Sequence, residues 1–302
     1  MINRLSILIP VYNDNAVPLV RELCAQAMRI DGLEYEILAV DDGSTDASVI
    51  SANKDIDGMP GCRYVMGRHH DCRSAMRNDL TCHGRYEWRL MADARTLPAD
   101  GDFIKRYLDS GAREGEAVCG GVVVRAADNV EMRRLYRENL RFRYERHEQP
   151  RHSVSARRKS PYMSMRTTNF FFHYTVFDRV RYDERIKTYG YEDVMLGKAL
   201  CEAGINVLHI DNPVAYTSFE SNDVYLDKLE ESMVTLRDFA SELTPYSPLL
   251  RLVSALRRLH MMSVVKAAGA VFGHAMRRSL LGRRPSLAVL RLYKVCLFAG
   301  SA

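Results

Sequence analysis

The stretch Glu87-Trp88-Arg89-Leu90-Met91-Ala92-Asp93-Ala94-Arg95 decides how the chain is to be read. Its middle, Trp88 to Ala92, is short, apolar and bounded by charge, the pattern of a buried strand. It ends on the carboxylate of Asp93, and Thr96-Leu97-Pro98 turns the chain away. Open α/β sheets place ligand chemistry at the carboxyl ends of their strands, so Asp93 is a candidate site residue. Two positions on, where a second acid would be expected, stands Arg95.

Similar signals repeat on both sides. Leu5 to Ile9, closed by Pro10, reads as a strand, as do Tyr35 to Val40 and Cys62 to Met66. Ala117 to Val124 reads as another, with Gly120-Gly121 inside it, and Ile205 to Ile210 as a further one. Between them, Leu19, Val20, Leu23, Cys24, Ala27 and Met28 recur at helical spacing behind Asn13 and Asp14, which can cap such a helix. Asp41-Asp42-Gly43-Ser44-Thr45-Asp46 forms a turn and a helix cap, and Ser74 to Cys82 and Phe103 to Leu108 read as helices. Strands alternating with helices predict a doubly wound, mostly parallel α/β sheet with right-handed crossovers. Tyr12 and Asn13, Asp41 and Asp42, and Asp93 then share one sheet edge, the expected place for a nucleotide crevice. Each acid alone is also an ordinary cap; together at one edge they point to binding.

The alternation stops after Val124. Glu131 to His147 predicts a charged helix, and Gln149 to Ser160 a mobile polar loop. Within that loop Arg157-Arg158-Lys159 reads as solvated charge, or as a contact for an anionic acceptor. Thr167 to Phe177 is strand-like. Tyr189-Gly190-Tyr191-Glu192-Asp193 is a turn opening a helix that carries Val194, Leu196, Leu200 and Cys201. Leu226, Leu229, Met233 and Leu236 mark the apolar face of another.

Composition narrows the class. With 302 residues and 47% apolar content the chain can bury one large domain or two small ones, and 27% charge is ordinary for a globular protein. Seven cysteines without a Cys-x-x-Cys pair fit reduced thiols. His69-His70-Asp71-Cys72 and Cys82-His83 match no zinc spacing, and no Gly-x-Gly-x-x-Gly turn supports a nicotinamide cofactor. No run reaches the roughly eighteen apolar residues of a membrane span, and Met1 to Leu5 enters a strand without a leader pattern. The net charge of +5 is uneven: Leu243 to Ala302 holds ten Lys or Arg and no Asp or Glu, behind a net acidic body. Leu249 to Leu259, Ala275 to Leu281 and Leu287 to Phe298 set basic residues among leucines, as membrane-surface helices do. The alternative is a helical tail packed on its own domain or on a second copy in a homo-oligomer. The acidic body and the scarcity of interleaved aromatics argue against nucleic acid. The expected location is cytoplasmic, peripheral to the inner face of the membrane.

The order of motifs carries a resemblance. Pro10-Val11-Tyr12-Asn13, Val40-Asp41-Asp42-Gly43-Ser44-Thr45-Asp46, Arg73-Ser74-Ala75-Met76-Arg77-Asn78, Asp93-Ala94-Arg95 and Tyr189-Gly190-Tyr191-Glu192-Asp193 follow one another. This resembles glycosyltransferase family 2 on a GT-A fold, over roughly residues 5 to 240. The resemblance implies an inverting transfer of a sugar from a nucleotide sugar, a UDP-sugar foremost, to a hydroxyl of a glycan or lipid-linked acceptor in cell-surface or extracellular glycan assembly. It assigns Pro10, Tyr12, Asp41, Asp42, Arg77, Asp93 and Arg95 to the donor, Asp193 as catalytic base, and Glu192 to orienting the acceptor or its loop. Members usually hold Mg²⁺ or Mn²⁺ with an Asp-x-Asp pair and a later histidine. Here Arg95 and Tyr216 stand at those places, which leaves Asp93 as the candidate metal ligand. Either Arg95 meets the diphosphate directly, or the chain has lost catalysis and kept nucleotide-sugar binding or an assembly role. A nucleotide-binding α/β protein without sugar chemistry is the remaining alternative. In this scheme residues 1–128 bind the nucleotide sugar, 129–242 complete the acceptor and catalytic half, and 243–302 form the basic amphipathic helical tail.

Overall fold

In the computed structural model, which describes residues 2–300, most of the short apolar runs are strands and most of the amphipathic runs helices. The order is β1 (Arg4–Val11), α1 (Val17–Ala27), β2 (Glu34–Asp41), α2 (Ala47–Asn53), β3 (Cys62–Met66), α3 (Arg73–Cys82), β4 (Trp88–Ala92), β5 (Thr96–Pro98), α4 (Phe103–Leu108), β6 (Ala117–Cys119) and β7 (Val122–Val123). There follow α5 (Asn129–Glu138), α6 (Leu140–Glu148), α7 (Val154–Lys159), β8 (Asn169–His173), α8 (Val176–Arg179), α9 (Glu192–Glu202), β9 (Val207–His209) and β10 (Val214–Tyr216). The chain ends in α10 (Asn222–Asp238), α11 (Ala240–Leu243), α12 (Pro248–Arg258), α13 (Met262–Leu281) and α14 (Leu287–Gly300). Two compact units are present. One holds residues 1–123, 150–187 and 195–218, the other 124–149, 188–194 and 219–302.

The first unit is built on a seven-stranded sheet in the order β3-β2-β1-β4-β8-β6-β9. The four strands read from β1 to β4 are parallel, β8 runs antiparallel between β4 and β6, and β9 is parallel to β6. Strand alternation divides the core between two faces. Ile7 and Ile9 meet Leu19 and Leu23 of α1 and Phe103 and Tyr107 of α4 on one side. Leu8, Leu38 and Met91 meet Leu80 of α3 and Leu196 and Leu200 of α9 on the other. Each fully buried aliphatic side chain of this kind stabilises by about 1.5–3 kcal/mol relative to exposure.

Several local expectations change. β1 runs through Pro10 to Val11, past the end of its β4 register at Leu8, so the missing N–H of Pro10 lies outside that ladder. Asn13 and Asp14 do not cap α1; Asn15 Oδ1 accepts from Val17 N at 3.0 Å instead. The predicted helix over Glu131 to His147 is two helices, broken at Asn139, whose side chain accepts from Phe142 N at 2.8 Å.

The largest departure is at Gly120-Gly121. The predicted single strand Ala117 to Val124 is cut there, β6 staying in the large sheet and β7 joining a three-stranded sheet, β5-β10-β7. Glycine is required sterically: a Cβ on Gly120 would lie 2.2 Å from Asn212 O, and Gly121 adopts φ +92°. The break is held by Arg157, expected in a mobile, solvated loop but in fact buried on α7. Its guanidinium donates to Cys119 O at 2.9 Å, Gly120 O at 3.0 Å, Ile210 O at 2.8 Å and His152 O at 3.0 Å. Cys119 O and Gly120 O also accept from Ile210 N and Asn212 N, both at 3.2 Å, so the guanidinium fills the second acceptor position of each carbonyl.

The second unit is helical. α10 packs with α6, α13 and α14, burying Leu226, Leu229, Met233 and Leu236 as the periodicity required, with Leu280 and Leu290. Phe142 of α6 meets Phe219 edge-on at 5.0 Å.

His209, at the end of β9, accepts from Arg157 Nη1 at 2.9 Å and donates to Pro161 O at 2.9 Å. Burial pushes its imidazole down from 6.5 to about 4, the Pro161 carbonyl works the other way, and Arg157 and Arg158 add to the lowering. The native state therefore holds the neutral ring, and the unfolded chain takes up the proton first on acidification. Stability from this site is complete above pH 6.5 and declines as pH falls towards 4, by up to about 3 kcal/mol. His209→Gln is expected to flatten the fall of Tm over that interval; an unchanged slope would assign it to other groups.

Candidate functional site

β1 and β2 end side by side, with Val11 opposite Asp41 and Asp42 N donating to Val11 O at 2.8 Å. Beyond them Asn13, at φ 52°, joins the two exits. Its N–H donates to Ser44 Oγ at 2.7 Å, and its Oδ1 accepts from Thr45 N at 2.8 Å and Asp46 N at 2.9 Å. Asp46 in turn caps α2 through Ser48 N and Val49 N, as its position after the turn predicted. Asp41 is fully buried; it accepts from Ser44 N at 2.6 Å and from the Tyr64 hydroxyl. The Asp41 carboxylate thus shapes the loop from within.

Asp42 lies nearer the surface. Its Oδ1 accepts from His70 N at 2.8 Å and from His70 Nδ1 at 2.7 Å, which places the imidazole proton on Nδ1. His69 Nδ1 lies 2.7 Å from the Asp42 carbonyl, and its ring sits 6.4 Å from that of Tyr12. Tyr12 is 50% exposed and offers its ring to solvent. The histidine pair, weighed in the sequence only as a metal spacing, is thus the clamp on Asp42. Its signal was the position itself, directly after the third strand of a parallel sheet, where a loop faces the neighbouring strand's exit.

At the end of β4, Asp93 N donates to Thr168 O at 3.1 Å, and Thr96 closes the turn onto Asp93 O through N at 3.1 Å and Oγ1 at 2.7 Å. Arg77 of α3 reaches the Asp93 carboxylate at 3.3 Å. Arg77 is buried, not a solvated helix arginine, with Tyr182 beneath its guanidinium at 5.7 Å. Burial pushes the Asp93 carboxyl up, but the charges of Arg77 and Arg73 and hydrogen bonds from Thr168 and Arg77 outweigh it and hold it below the ordinary carboxylate value. Arg95 pairs with Asp14, and its carbonyl accepts from Thr217 N at 3.0 Å and Thr217 Oγ1 at 3.1 Å. Tyr216, paired in register with Thr96, lies beside this turn.

Of the protein ligands that the resemblance implied for a divalent cation, Asp93 alone is an acid here. A hard ion needs several oxygen ligands. Here Asp93 and Asp14 each engage a guanidinium, Arg73 adds positive charge, and the two other expected ligand positions are Arg95 and Tyr216. Among the described residues no group of three or more His, Cys, Asp or Glu is placed to hold a metal.

The model of the family described as "Glycosyl transferase family 2" matches residues 6–179, more than half of the chain. The chain belongs to glycosyl transferase family 2. Its mostly parallel sheet, with the candidate site loops at the carboxyl ends of β1, β2 and β4, is the GT-A arrangement. A mannosyltransferase from Pyrobaculum calidifontis, solved in complex with GDP-Man and Mn²⁺, is 15% identical over 99% of this chain and 86% of its own, with a TM-score of 0.54. S. aureus TarS 1-349 is 13% identical over 76% of this chain, with a TM-score of 0.49, and this chain spans 64% of its length. These likenesses concern the fold alone. No curated protein sequence matches the chain.

In the second unit of this family 2 chain lies the turn Tyr189 to Asp193. Tyr189 N donates to Glu231 Oε1 at 2.9 Å, Thr235 Oγ1 donates to Tyr189 O at 3.0 Å, and Thr188 and Thr235 hydroxyls meet at 2.7 Å. Helix α10 thus fixes the turn. Gly190 at φ 101° and Tyr191 at φ 68° reverse the chain, and Glu192 and Asp193 fall in the first turn of α9, where the helix dipole favours carboxylate. Glu192 is buried, and among the described residues its Oε1 has no hydrogen-bond partner. A Cβ on Gly190 would meet Ser232 Cβ at 2.7 Å. Gly190→Ala is therefore expected to cost about 2 kcal/mol or more in thermal unfolding. A variant as stable as the parent would show that the turn can relax away from α10.

Proposed function

We propose that this family 2 chain is an inverting glycosyltransferase that uses a nucleoside-diphosphate sugar, a UDP-sugar in the first instance. The observation that carries the reading is the gathering of Tyr12, Asp42, Arg77, Asp93 and Arg95 where β1, β2 and β4 end. The mannosyltransferase of similar fold, solved in complex with GDP-Man and Mn²⁺, supports a donor of this class. In this reading Tyr12 flanks the base and Asp42, held by His70, accepts from its imide N–H. Asp93 holds Arg77, and Arg77 with Arg95 meets the diphosphate. Pro10 and Asp41 shape the two loops from inside.

Inversion proceeds by one in-line displacement. The acceptor oxygen attacks the anomeric carbon, the bond to the diphosphate oxygen breaks, and the electron pair leaves with the diphosphate. Asp193 takes the hydroxyl proton as the attack proceeds, and Glu192 orients the acceptor. Guanidinium groups offset the charge that develops on the leaving group. The acceptor we propose is a glycan or lipid-linked saccharide of cell-surface assembly.

Asp193→Asn is expected to lower transfer by about 10²–10⁴-fold while leaving nucleotide binding, read by calorimetry, near the parent's value. Turnover that survives the change removes Asp193 from the base role. EDTA is expected to change the rate little and Arg95→Ala to lower it severely. Complete loss in EDTA restored by Mn²⁺ would show that arginine does not take the metal's place.

A second reading, a nucleotide-sugar-binding protein without turnover, is favoured by the pairing of Arg95 with Asp14. Donor binding with no transfer or hydrolysis in the parent chain would select it.

A further inference from the structure

Helix α13 has two apolar faces, and its own unit covers one. Met276 and Leu280 are buried, and Gly269 lets the backbone approach α14, where a Cβ would lie 3.1 Å from Cys296 Cβ. On the opposite side Val264, Ala267, Val271, Phe272 and Ala275 recur at intervals of three and four and are all exposed. Val264, Val271 and Phe272 are 64%, 69% and 58% exposed. Scattered apolar residues on a surface are ordinary, whereas a stripe running along a whole helix marks a covered surface. Leu259 and Met261, 66% and 43% exposed, extend the exposed apolar surface through the turn that leads into α13.

Charge selects the occupant. Lys266 and Arg278 are exposed on α13, and Arg257 and Arg258 are exposed at the end of α12. The whole segment from Leu243 onward contains no acid. Pairing this face with the same face of a second copy would bring basic rims together with no carboxylate from the segment to separate them. A surface that is apolar within and anionic at its rim complements it on both counts. Among the described residues no helix is long and apolar enough to cross a membrane, so the contact lies in the interface plane. We propose that the outer face of α13 docks on a bilayer rich in anionic lipid, with Val264, Val271 and Phe272 in the acyl boundary and Arg278, with Arg257 and Arg258 at the end of α12, among the headgroups. No part of this rests on the transfer reaction.

Co-sedimentation of the full chain with vesicles tests it. Phosphatidylcholine vesicles containing an equal part of phosphatidylglycerol are expected to carry the protein down, pure phosphatidylcholine vesicles to leave most in solution, and salt to weaken the binding. Val271→Ser combined with Phe272→Ser is expected to lower the partition coefficient at least about tenfold. Arg278→Gln and Arg257→Gln are each expected to lower it about fivefold. Far-UV spectra separate lost binding from lost fold, and if the apolar pair fails to fold the glutamine variants decide. Equal binding to both vesicle types, no binding to either, or variants that bind like the parent would overturn the proposal. So would a dimer by light scattering that Val271→Asp dissolves. The readout contains no nucleotide and no sugar, so failure here and failure of the transfer reading are distinguishable.

Discussion

The guanidinium of Arg157 is the point on which the first unit turns. Four backbone carbonyls and the His209 ring converge on it, at the place where the chain leaves the seven-stranded sheet. Because β6 stops at Cys119, the next two residues can cross to a second sheet, and β7 gains β10 as its neighbour. Because β10 then reaches β5, Thr217 anchors the carbonyl of Arg95. A buried charge far along the chain therefore sets the backbone beside Asp93. Burial of such a charge is tolerable only with every donor engaged, which is what the carbonyls provide.

Most of the strands were legible because their signal is local. Trp88 to Ala92, Cys62 to Met66 and Phe103 to Leu108 begin and end where the apolar pattern and the turn residues put them. Positions decided by partners distant in sequence were not. Two glycines inside an apolar run read alike whether the strand continues or divides, and only the approach of Asn212 and Arg157 distinguishes the cases. Arg157 itself sits in a basic polar stretch whose composition is that of solvated loops. Asp14 looked like a helix cap because it precedes a helix, yet Asn15 performs that task and Asp14 meets Arg95, 81 positions away. The acids and arginines of the family motifs were visible as types at element ends; which of them pair, Arg77 with Asp93, Arg95 with Asp14 and His70 with Asp42, was not.

Around Asp93 the balance of charge is the informative quantity. A carboxylate between two guanidinium groups, Arg77 and Arg73, is an internal counter-ion, and its effect is to fix positive side chains in place without adding a net negative field. That arrangement differs in kind from the pair of acids it resembles in sequence. Here the positive charge sits on side chains held by α3 and by the turn after β4, Arg77 on Asp93 and Arg95 on Asp14.

The distribution of chain between the two units bears on modularity. Residues 188–194 share a unit with α12–α14, and α10 links them: Glu231 and Thr235 hold the Tyr189 turn, while Glu230 accepts from Arg277 and Tyr293 on neighbouring helices. A segment that could have been shed or exchanged as a terminal cassette is instead fastened to the helix that shapes the Glu192–Asp193 turn. Sequence change in the acid-free tail is thereby coupled to that turn, so the two would be expected to diversify together along a lineage and to resist recombination at the boundary near residue 243.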